Sequence, residues 1–452
     1  MTFWTFDRVA DAIGPAAVTQ SPRGAGEITG ITTDSRSTIE GQLFVALIGE
    51  NFDGHDYLGA AVEQGAAAVL VSRPVRLEQL GVPVYEVGDT LMALGTLATY
   101  WRKAWGKTVI AVAGSNGKTT TKDLIRAALA VELEVHATTG NLNNRIGVPL
   151  TLLAIPASAE IAVIEVGTNL PGEVAILRDI ALPDIAVVTS IGEEHLEGLG
   201  DVAGVLKEEV AVFHGVNVGV APASQPEIAT AARGMTTSFV EAGLDAGNIR
   251  PSAWKLAADG SGTIELDDVV VAPPLRGLHN LQNTMLAIAV ARICGVTDAG
   301  AGSGIASMQV PRMRVSSEQL GRATLINDAY NANPGSTRAA LELLRGMGSE
   351  RQRVVVLGTM RELGAASARC HDDISRLALD GPADVVAGIG EFRHALARIA
   401  PGDVRVVTAA SVDELWPQLE SRIQPDAVIL LKASRGVQLE QLVPHLTTWA
   451  MH

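Results

Sequence analysis

The chain has 452 residues, with 35 basic and 50 acidic side chains and a net charge of −15, a length that fits about three domains. The acidic balance argues against a general nucleic-acid or anionic-membrane binder, and with only two cysteines, Cys294 and Cys370, the sequence offers neither a disulfide framework nor zinc-ligand spacing. Because the sequence shows no bilayer-spanning apolar run and no signal-peptide pattern, we expect a cytoplasmic protein without membrane insertion.

The first predicted unit, residues 1–83, carries one polar loop of interest. Apolar and β-branched residues predict a short strand on each side of this loop, then a helix over 57–64 and a strand over 67–72. Within the loop, Ser35 stands next to Arg36, and an arginine fork suits a diphosphate or a carboxylate. We therefore predict both as substrate residues, although a solvated turn explains the segment equally well.

The second predicted unit, residues 84–312, begins with the arrangement of a phosphate-binding site. A buried strand is predicted over 108–113, and a helix begins at Lys118. A glycine loop between them admits close approach, while the helix start offers free N–H groups and the positive end of the helix dipole. The residues predicted to bind the phosphates of a nucleotide are Gly114, Ser115, Asn116, Gly117, Lys118, Thr119 and Thr120.

Two side chains of this loop carry its expected chemistry. Lys118 can reach the β- and γ-phosphates, and the hydroxyl of Thr119 can bind Mg²⁺. The spacing departs from the strict phosphate-loop pattern, because Val112 stands where that pattern has its first glycine. The alternative is an ordinary turn in which Gly-Lys-Thr occurs by chance.

Three other features of the second predicted unit are polar groups near strand ends or in a loop. Glu165 ends an apolar strand, where parallel sheets bind ligands and where a carboxylate can hold Mg²⁺; a glutamate satisfied by nearby backbone is the alternative. His195 follows the next strand, which favours a metal or phosphate role over a structural one. Asn143 and Asn144 lie in a polar loop that is predicted to contact a ligand, although a loop without function remains open.

The third predicted unit, residues 313–452, alternates strands with helices, which indicates a parallel sheet of Rossmann-like type. Polar residues cluster at three of its strand ends, and the candidates among them are Asp328, Tyr330, Asn331, Asn333, Ser434 and Arg435. None of these clusters follows the G-x-G-x-x-G pattern, so NAD is not predicted. Before this unit, Asn280 lies at the start of an apolar helix, where an amide either caps the helix or reads an adenine edge.

Taken together, these residues resemble the Mur ligase family over nearly the whole chain. The motifs that carry the resemblance are Thr33-Asp-Ser-Arg, Asp53-Gly-His, Gly114-Ser-Asn-Gly-Lys-Thr-Thr, Asn141-Leu-Asn-Asn, Glu165-Val-Gly, His195-Leu-Glu-Gly, His279-Asn-Leu-Gln-Asn, Asn327-Asp-Ala-Tyr-Asn-Ala-Asn-Pro, Glu362-Leu-Gly and Ser434-Arg-Gly. The Asn-Ala-Asn-Pro run and the last motif point to the branch that adds D-Ala-D-Ala.

The resemblance implies an α/β enzyme of three domains. A small α/β N-terminal domain (1–83) would bind the UDP substrate, a central P-loop-type ATPase domain with a mainly parallel sheet (84–312) would bind ATP and Mg²⁺, and a C-terminal Rossmann-like domain (313–452) would bind the incoming dipeptide and close on ATP. Such an enzyme joins UDP-MurNAc-tripeptide to D-Ala-D-Ala through an acyl phosphate. The expected protein is a cytoplasmic monomer with no nucleic-acid partner.

The resemblance also implies individual roles. Four residues would be catalytic, Lys118, Glu165, His195 and Glu209, and the metal would be held by Thr119, Glu165 and His195. Asn280 would bind adenine, and Arg312 and Asp328 would close over the nucleotide. Substrate contacts would come from Ser35, Arg36, Asn143, Asn144, Tyr330, Asn331, Asn333, Ser434 and Arg435.

One departure from the family pattern concerns Glu209, which stands where the family has a carbamylated lysine. A glutamate supplies the same charge without CO₂ on an arm shorter by roughly 3–4 Å, a gap that one bridging water could fill at Mg²⁺. Lys207 lies about 200° around a helix from Glu209 and is expected to face elsewhere. The alternatives are a surface glutamate, or a nucleotide-dependent binding or regulatory protein that has lost the chemistry.

Overall fold

The computed structural model describes residues 3–14, 26–37, 40–75, 81–311, 313–347 and 350–451. The chain divides into two compact units. Compact unit one comprises Met1–Ala111, Glu134–Gly167 and Glu173–Ile185, and compact unit two comprises Val112–Leu133, Thr168–Gly172 and Ala186–His452. The domain boundaries predicted near residues 83 and 312 stay a prediction.

The strands of the described residues follow in chain order. They are β1 (Trp4–Thr5), β2 (Glu27–Ile28), β3 (Ile31–Thr32), β4 (Leu43–Val45), β5 (Ala68–Val71), β6 (Val84–Glu86), β7 (Thr108–Ala113), β8 (Val135–Ala137), β9 (Ile161–Glu165), β10 (Ile185–Val188), β11 (Val216–Pro222), β12 (Thr236–Ala242), β13 (Ala253–Leu256), β14 (Gly262–Leu266), β15 (Val269–Val271), β16 (Ser316–Leu320), β17 (Ala323–Asp328), β18 (Arg353–Leu357), β19 (Val385–Ile389), β20 (Val406–Ala409) and β21 (Val428–Lys432).

The α-helices alternate with these strands through most of the chain. They are α1 (Phe6–Ile13), α2 (Leu58–Glu63), α3 (Thr90–Trp105), α4 (Lys118–Leu129), α5 (Gly147–Leu153), α6 (Glu173–Ala181), α7 (Leu196–Leu199), α8 (Val202–Glu209), α9 (Pro226–Ala231), α10 (Leu278–Ile293), α11 (Asp298–Ala306), α12 (Pro334–Gly346), α13 (Ser367–Asp380), α14 (Glu391–Ile399), α15 (Val412–Glu420) and α16 (Leu442–Trp449). No helix in the described ranges has the length and apolar character needed to cross a bilayer.

Three sheets carry the parallel pattern that the sequence predicts. The N-terminal sheet has the order β3-β4-β5-β6 and is parallel throughout. The central sheet has the order β12-β11-β10-β7-β9-β8, and its β8–β9 and β11–β12 pairs are parallel. The C-terminal sheet, β16-β17-β21-β18-β19-β20, is parallel except for the antiparallel edge strand β16. The predicted α/β class with mainly parallel sheets is confirmed.

Burial explains why these strands could be recognised in the sequence. Every residue of β9, β10, β19 and β21 is buried, as expected where helices cover both faces of a parallel sheet. Their sequences are therefore continuous apolar runs bounded by polar turns. The C-terminal sheet packs its inward residues into one apolar cluster that includes Val354, Ile429 and Leu431.

Two segments differ from the sequence-based expectation. The helix predicted over 206–213 begins earlier, because Asp201 caps α8 by accepting a hydrogen bond from the backbone of Gly204, and the chain tightens into a 3₁₀ turn at Val210–Phe213. The stretch before α10 contains the antiparallel sheet β13-β14-β15, which the sequence analysis did not predict. Only β14 alternates buried and half-buried residues along its length, while β13 and β15 are four and three residues long and show no such alternation.

Candidate functional site

The glycine loop between β7 and α4 has the backbone that a phosphate site needs. Gly114 and Gly117 both have positive φ, +117° and +85°. A Cβ at Gly114 would lie 2.5 Å from Oγ1 of Thr189, so no larger residue fits there without movement. Gly117 also occupies the N-cap of α4, and as a glycine it brings no side chain to cap this helix. A helix that begins directly after a glycine loop has the backbone that suits an anion, and phosphate binding at this loop stays a prediction.

The segment that follows β10 holds this loop in shape. The Thr189 hydroxyl donates to the Asn116 carbonyl at 2.6 Å, and the Asn116 N–H donates to the Ser190 hydroxyl at 2.9 Å. The Ser115 hydroxyl accepts from the Gly192 N–H at 2.9 Å. Because its own backbone groups are paired with a neighbouring segment, the loop is organised before any ligand arrives.

Lys118 is the cation of this loop. Its ammonium donates to the carbonyl oxygens of Gly114 and Ser115 and lies 3.7 Å from Oε1 of Glu194. The side chain is only 14% exposed. A shielded cation at the start of a helix is suited to binding the terminal phosphates of a nucleotide.

Two buried carboxylates face this cation. Glu209 is fully buried and accepts a 2.7 Å hydrogen bond from the Gly114 N–H through Oε2, while its Oε1 has no hydrogen-bond partner among the described residues. Burial raises the pKa of Glu209 to about 7, opposed by the charge of Lys118. Burial likewise raises the pKa of Glu194. The alternative that Glu209 is a surface glutamate is wrong, because the side chain lies against the phosphate loop; its role as a metal ligand stays a prediction.

His195 joins this cluster to a loop of the C-terminal sheet. Its Nδ1 lies 2.5 Å from Oε2 of Glu362, and its Nε2 lies 3.6 Å from Oε2 of Glu194. Burial lowers the pKa of His195, but the hydrogen bond with Glu362 and the charge of Glu194 outweigh burial and leave the pKa above its ordinary value. The hydrogen bond with His195 also lowers the pKa of Glu362. An imidazole paired with two carboxyl groups therefore lies next to Glu194, which itself lies close to Lys118 of the phosphate loop.

Four of the six predicted residues of the C-terminal sheet line a small cavity, and Asp328 and Tyr330 do not. Its volume is about 170 Å³, and its lining includes Glu194, His195, Asn331, Asn333, Glu362 and Arg435. Ser434 also lines it, and its hydroxyl accepts from the Arg361 N–H at 3.0 Å. The cavity therefore adjoins both the imidazole and the polar strand ends that the sequence singled out.

Several of these side chains already have structural partners. Asn333 caps α12 and donates through Nδ2 to Oδ1 of Asn116 at 2.8 Å. The guanidinium of Arg314 lies 4.2 Å and that of Arg435 5.8 Å from the centre of the Tyr330 ring.

Two other predicted residues are also engaged within compact unit two. The Asp328 carboxylate forms a 2.6 Å ion pair with Lys432, which also donates to the Asn331 carbonyl. Asn280 donates through its amide to the Arg276 carbonyl at 2.8 Å. Their nucleotide and substrate roles stay predictions, and Arg312 lies outside the described residues.

Within compact unit one, Glu165 ends β9 as a buried carboxylate. Its Oε1 accepts from the Asn143 amide at 2.9 Å, and its Oε2 has no hydrogen-bond partner among the described residues. Asn144 accepts from the backbone N–H groups of Ile146 and Gly147 and so supports the start of α5. These bonds engage the side-chain oxygen of Asn144, and its substrate role stays a prediction. Glu165 keeps one buried oxygen that a ligand could use.

The Ser35–Arg36 loop in the same compact unit is an exposed turn. The Arg36 side chain is 88% exposed and binds the Asp34 carboxylate through Nε and Nη2, both at 2.9 Å. The hydrogen bonds from Arg36 lower the pKa of Asp34 to about 2. A ligand anion at Arg36 would have to share this guanidinium with Asp34, and the substrate role of both Ser35 and Arg36 stays a prediction.

Two buried carboxylates, Glu209 against the phosphate loop and Glu165 within compact unit one, fit Mg²⁺ of the kind that keeps its water shell. The described residues contain no group of three His, Cys, Asp or Glu side chains close enough to form an all-protein metal site. Mg²⁺ bound to a nucleotide needs fewer protein ligands, because one or two carboxylates and the phosphates hold it and waters occupy the remaining coordination positions. Oε2 of Glu165 and Oε1 of Glu209 are buried and unpaired in the described residues, so each can accept such a water or the ion.

Two members of the cluster were given no role from the sequence. Glu194 belongs to no motif, and Glu362 opens the Glu362-Leu-Gly motif without an assigned function. Their positions were nevertheless informative, because Glu194 directly precedes His195 at a strand end and Glu362 closes the polar stretch that follows β18. Only the tertiary structure brings the two glutamates to the same imidazole.

The fold and this site define an α/β protein with a glycine loop at the start of a helix and buried charged groups next to that loop. Three family models match the chain in succession: the Mur ligase family catalytic domain over residues 27–102, the Mur ligase middle domain over 112–291 and the Mur ligase glutamate ligase domain over 311–435. The chain belongs to the Mur ligase family.

Individual relatives agree with this assignment over their whole length. The chain is 35% identical to the UDP-N-acetylmuramoyl-tripeptide–D-alanyl-D-alanine ligase of Bacillus subtilis (strain 168), covering 93% of each chain, and 34% identical to the ligase of that name from Escherichia coli (strain K12), covering 91% of this chain and 92% of the other. A crystal structure of MurF from Acinetobacter baumannii is similar with a TM-score of 0.89 and 30% identity, covering 98% of this chain and 99% of that one. MurF of Thermotoga maritima in complex with ADP is similar with a TM-score of 0.83 and 25% identity, covering 94% and 98%.

Proposed function

We propose that this protein is an ATP-dependent ligase that joins D-Ala-D-Ala to UDP-MurNAc-tripeptide in peptidoglycan precursor synthesis. Family membership and full-length relatives with that name support the reaction, and the MurF relative in complex with ADP supports the nucleotide. The observation that carries the proposal in this chain is the shielded ammonium of Lys118 at the start of α4, directly after the glycine loop. That arrangement provides fixed positive charge where a terminal phosphate would lie.

The first half of the reaction brings two anions together. The tripeptide carboxylate attacks the γ-phosphorus of ATP, ADP leaves, and an acyl phosphate forms. Lys118 and the N–H groups of α4 offset the repulsion between the carboxylate and the phosphates, because they are held in place before the charges meet. Bound Mg²⁺ would neutralise further phosphate charge, with Thr119, Glu165, His195 and Glu209 as the residues proposed to hold it or its waters.

In the second half, the amine of D-Ala-D-Ala attacks the acyl carbon and inorganic phosphate leaves. The acyl phosphate is readily hydrolysed, so its surroundings must exclude water. The cavity beside His195 is the place we assign to this step, because it is lined by the polar residues of the C-terminal sheet. The exposed turn at Ser35 and Arg36 is proposed to bind the UDP part of the other substrate.

The setting of the enzyme follows from its substrates. ATP and a UDP-linked precursor are cytoplasmic compounds, so we propose that the protein acts in the cytoplasm. We also propose that it acts as a monomer that uses Mg²⁺ and binds no nucleic acid, which agrees with its net charge of −15.

Phosphate release tests this function against the alternative of a nucleotide-dependent binding protein. The assay contains ATP and Mg²⁺ with UDP-MurNAc-tripeptide and D-Ala-D-Ala, supplied together and singly. We expect phosphate release and a new amide product only with both substrates, and no product when single amino acids replace the dipeptide. Nucleotide binding without product in the complete mixture would exclude the ligase. Product with a single amino acid would assign another branch of the family.

A further inference from the structure

Glu362 contacts the imidazole of His195 from a loop far away in sequence. The two side chains are 167 residues apart, and their Nδ1–Oε2 distance is 2.5 Å. A glutamate carboxylate is an acceptor of hydrogen bonds, so Nδ1 donates in this bond. The contact therefore fixes the rotation of the ring, with Nδ1 toward Glu362 and Nε2 on the side of Glu194.

The backbone on both sides of this contact is held in an unusual conformation. His195 has φ +49° and Glu362 has φ +64°, although neither is glycine. The left-handed region is unfavourable for such residues and persists only where surrounding contacts enforce it. The Glu197 N–H donates to the Glu362 carbonyl at 3.1 Å, and a Cβ at Gly364 would lie 3.0 Å from Cα of Glu197. The loop that carries Glu362 therefore packs directly against the segment that carries His195.

The stem of this loop is anchored from behind. The ring of His371, itself buried, accepts the Met360 N–H through Nε2 at 2.9 Å, and the Ser434 hydroxyl accepts the Arg361 N–H at 3.0 Å. These bonds fix the two residues before Glu362, so its carboxylate is presented to His195 from a rigid support.

We propose that Glu362 is a positioning residue, which orients the His195 imidazole so that Nε2 faces Glu194 and the adjoining cavity. A histidine that binds a ligand through one nitrogen usually has its other nitrogen fixed in this way, and loss of the partner costs about 10–100-fold. The inference rests on the proposed ligase function for its kinetic part. Nε2 of His195 faces Glu194 and the cavity only when the loop that follows β18 contacts the His195 segment.

The competing explanation is that Glu362 only holds two segments of the chain together and does not orient the imidazole. Glu193 provides a matched control for that explanation. Glu193 lies two residues before His195 and forms ion pairs with Arg369 at 2.8 Å and Arg338 at 3.5 Å, both on helices of the C-terminal sheet. Removing this carboxylate breaks a contact between the same segments of compact unit two without touching the imidazole. A docking role predicts equal effects for the two glutamates, and a positioning role predicts an effect for Glu362 alone.

The first readout is independent of activity. The chain has nine histidines, and comparison with His195→Asn identifies the ring signals of His195 in proton–nitrogen NMR spectra. We expect a strongly downfield Nδ1–H resonance in the wild type and in Glu193→Ala, and its loss in Glu362→Ala. Glu362→Gln keeps an acceptor oxygen and should retain the resonance with a changed shift. An unchanged His195 spectrum in Glu362→Ala would overturn the proposal even if ligase activity were absent from every sample.

The second readout is steady-state ligation. We expect kcat to fall about 10–100-fold in Glu362→Ala with the KM for ATP changed by less than about threefold, and to recover in large part in Glu362→Gln. Glu193→Ala should stay within about twofold of the wild type. The double variant Glu362→Ala/His195→Asn should be no slower than His195→Asn alone, because a positioning residue has no role without its histidine. Equal losses in Glu193→Ala and Glu362→Ala, or additive losses in the double variant, would overturn the proposal.

Discussion

The cluster around Lys118 and the turn at Arg36 both pair a cation with a carboxylate, but in opposite surroundings. Lys118 and Glu194 are 14% and 4% exposed, whereas Arg36 and Asp34 are 88% and 42% exposed. Burial raises the pKa of the carboxyl groups in the first region, and hydrogen bonding lowers the pKa of the carboxyl group in the second. Charges shielded from water act strongly on a bound phosphate, while exposed pairs are screened and contribute little to stability. The buried region is therefore suited to chemistry and the exposed one to initial binding.

The largest expected effect is in Lys118→Ala. Loss of a preorganised cation at the reacting phosphate should lower kcat about 10²–10³-fold, with an unchanged circular dichroism spectrum. Lys255→Ala, which removes a cation whose side chain is 77% exposed, is the control and should keep full activity. Near-normal turnover in Lys118→Ala would remove the phosphate loop from the mechanism.

A smaller loss is expected in Glu209→Ala, with a higher Mg²⁺ requirement. The carboxylate lies on the phosphate loop, and removal of a ligand that acts at a metal or through its water typically costs about 10–100-fold. Lys207→Ala should stay active, and wild-type activity should be the same in CO₂-stripped and bicarbonate-supplemented buffer. Loss of activity in Lys207→Ala together with bicarbonate dependence would show that the enzyme uses a carbamylated lysine instead.

Arg36→Ala tests whether the exposed turn contributes to substrate binding. We expect the KM for UDP-MurNAc-tripeptide to rise by about tenfold, as for one lost charged hydrogen bond, with the KM for D-Ala-D-Ala nearly unchanged. Arg405→Ala is the matched control, because Arg405 binds Asp403 two residues before it in the same manner. An equal rise in both KM values, or none, would argue against a substrate role for this turn.

The smallest expected effect is on stability and depends on pH. The pKa of Glu209 rises from 4.5 in the unfolded chain to about 7 in the folded one, so the folded chain binds more protons between these values and loses stability as pH rises through that window. Glu209→Gln should therefore unfold about 2–4 °C above the wild type at pH 8 in metal-free buffer, and at nearly the same temperature at pH 4.5. Equal differences at both pH values would contradict the assigned burial of charge.

Asp34 depends on pH in the opposite direction from Glu209, because its pKa is lowered to about 2 in the folded chain. Its contribution to stability is lost only as pH falls below about 4.

Much of the central site could be predicted because it depends on local sequence. The strand over 108–113 and the helix that begins at Lys118 have the bounds that the pattern indicated. A glycine loop between a buried strand and a helix has a short sequence signature that can be recognised before its tertiary contacts are known. The same holds for the strands of the C-terminal sheet, whose apolar runs reflect burial on both faces.

Less could be predicted where a side chain depends on distant partners. Asn144 was predicted to contact substrate, which stays a prediction, and the structure adds that its side-chain oxygen accepts from nearby backbone N–H groups. Glu165 was predicted as a metal ligand, and the structure adds that Asn143 binds one of its oxygens. An amide in a polar loop has the same sequence appearance whether it binds a ligand or the chain itself, so only coordinates distinguish the two.

The sequence by itself determined the α/β class, the phosphate loop with Lys118 and the likeness to the Mur ligases, because each depends on a short pattern of residues with a direct physical meaning. The tertiary structure alone decided that Glu209 is buried against Gly114 and that Glu194 and Glu362 meet at His195. These side chains come from segments up to 167 residues apart. Their pKa values and hydrogen bonds arise from burial and proximity, which only the packed chain creates.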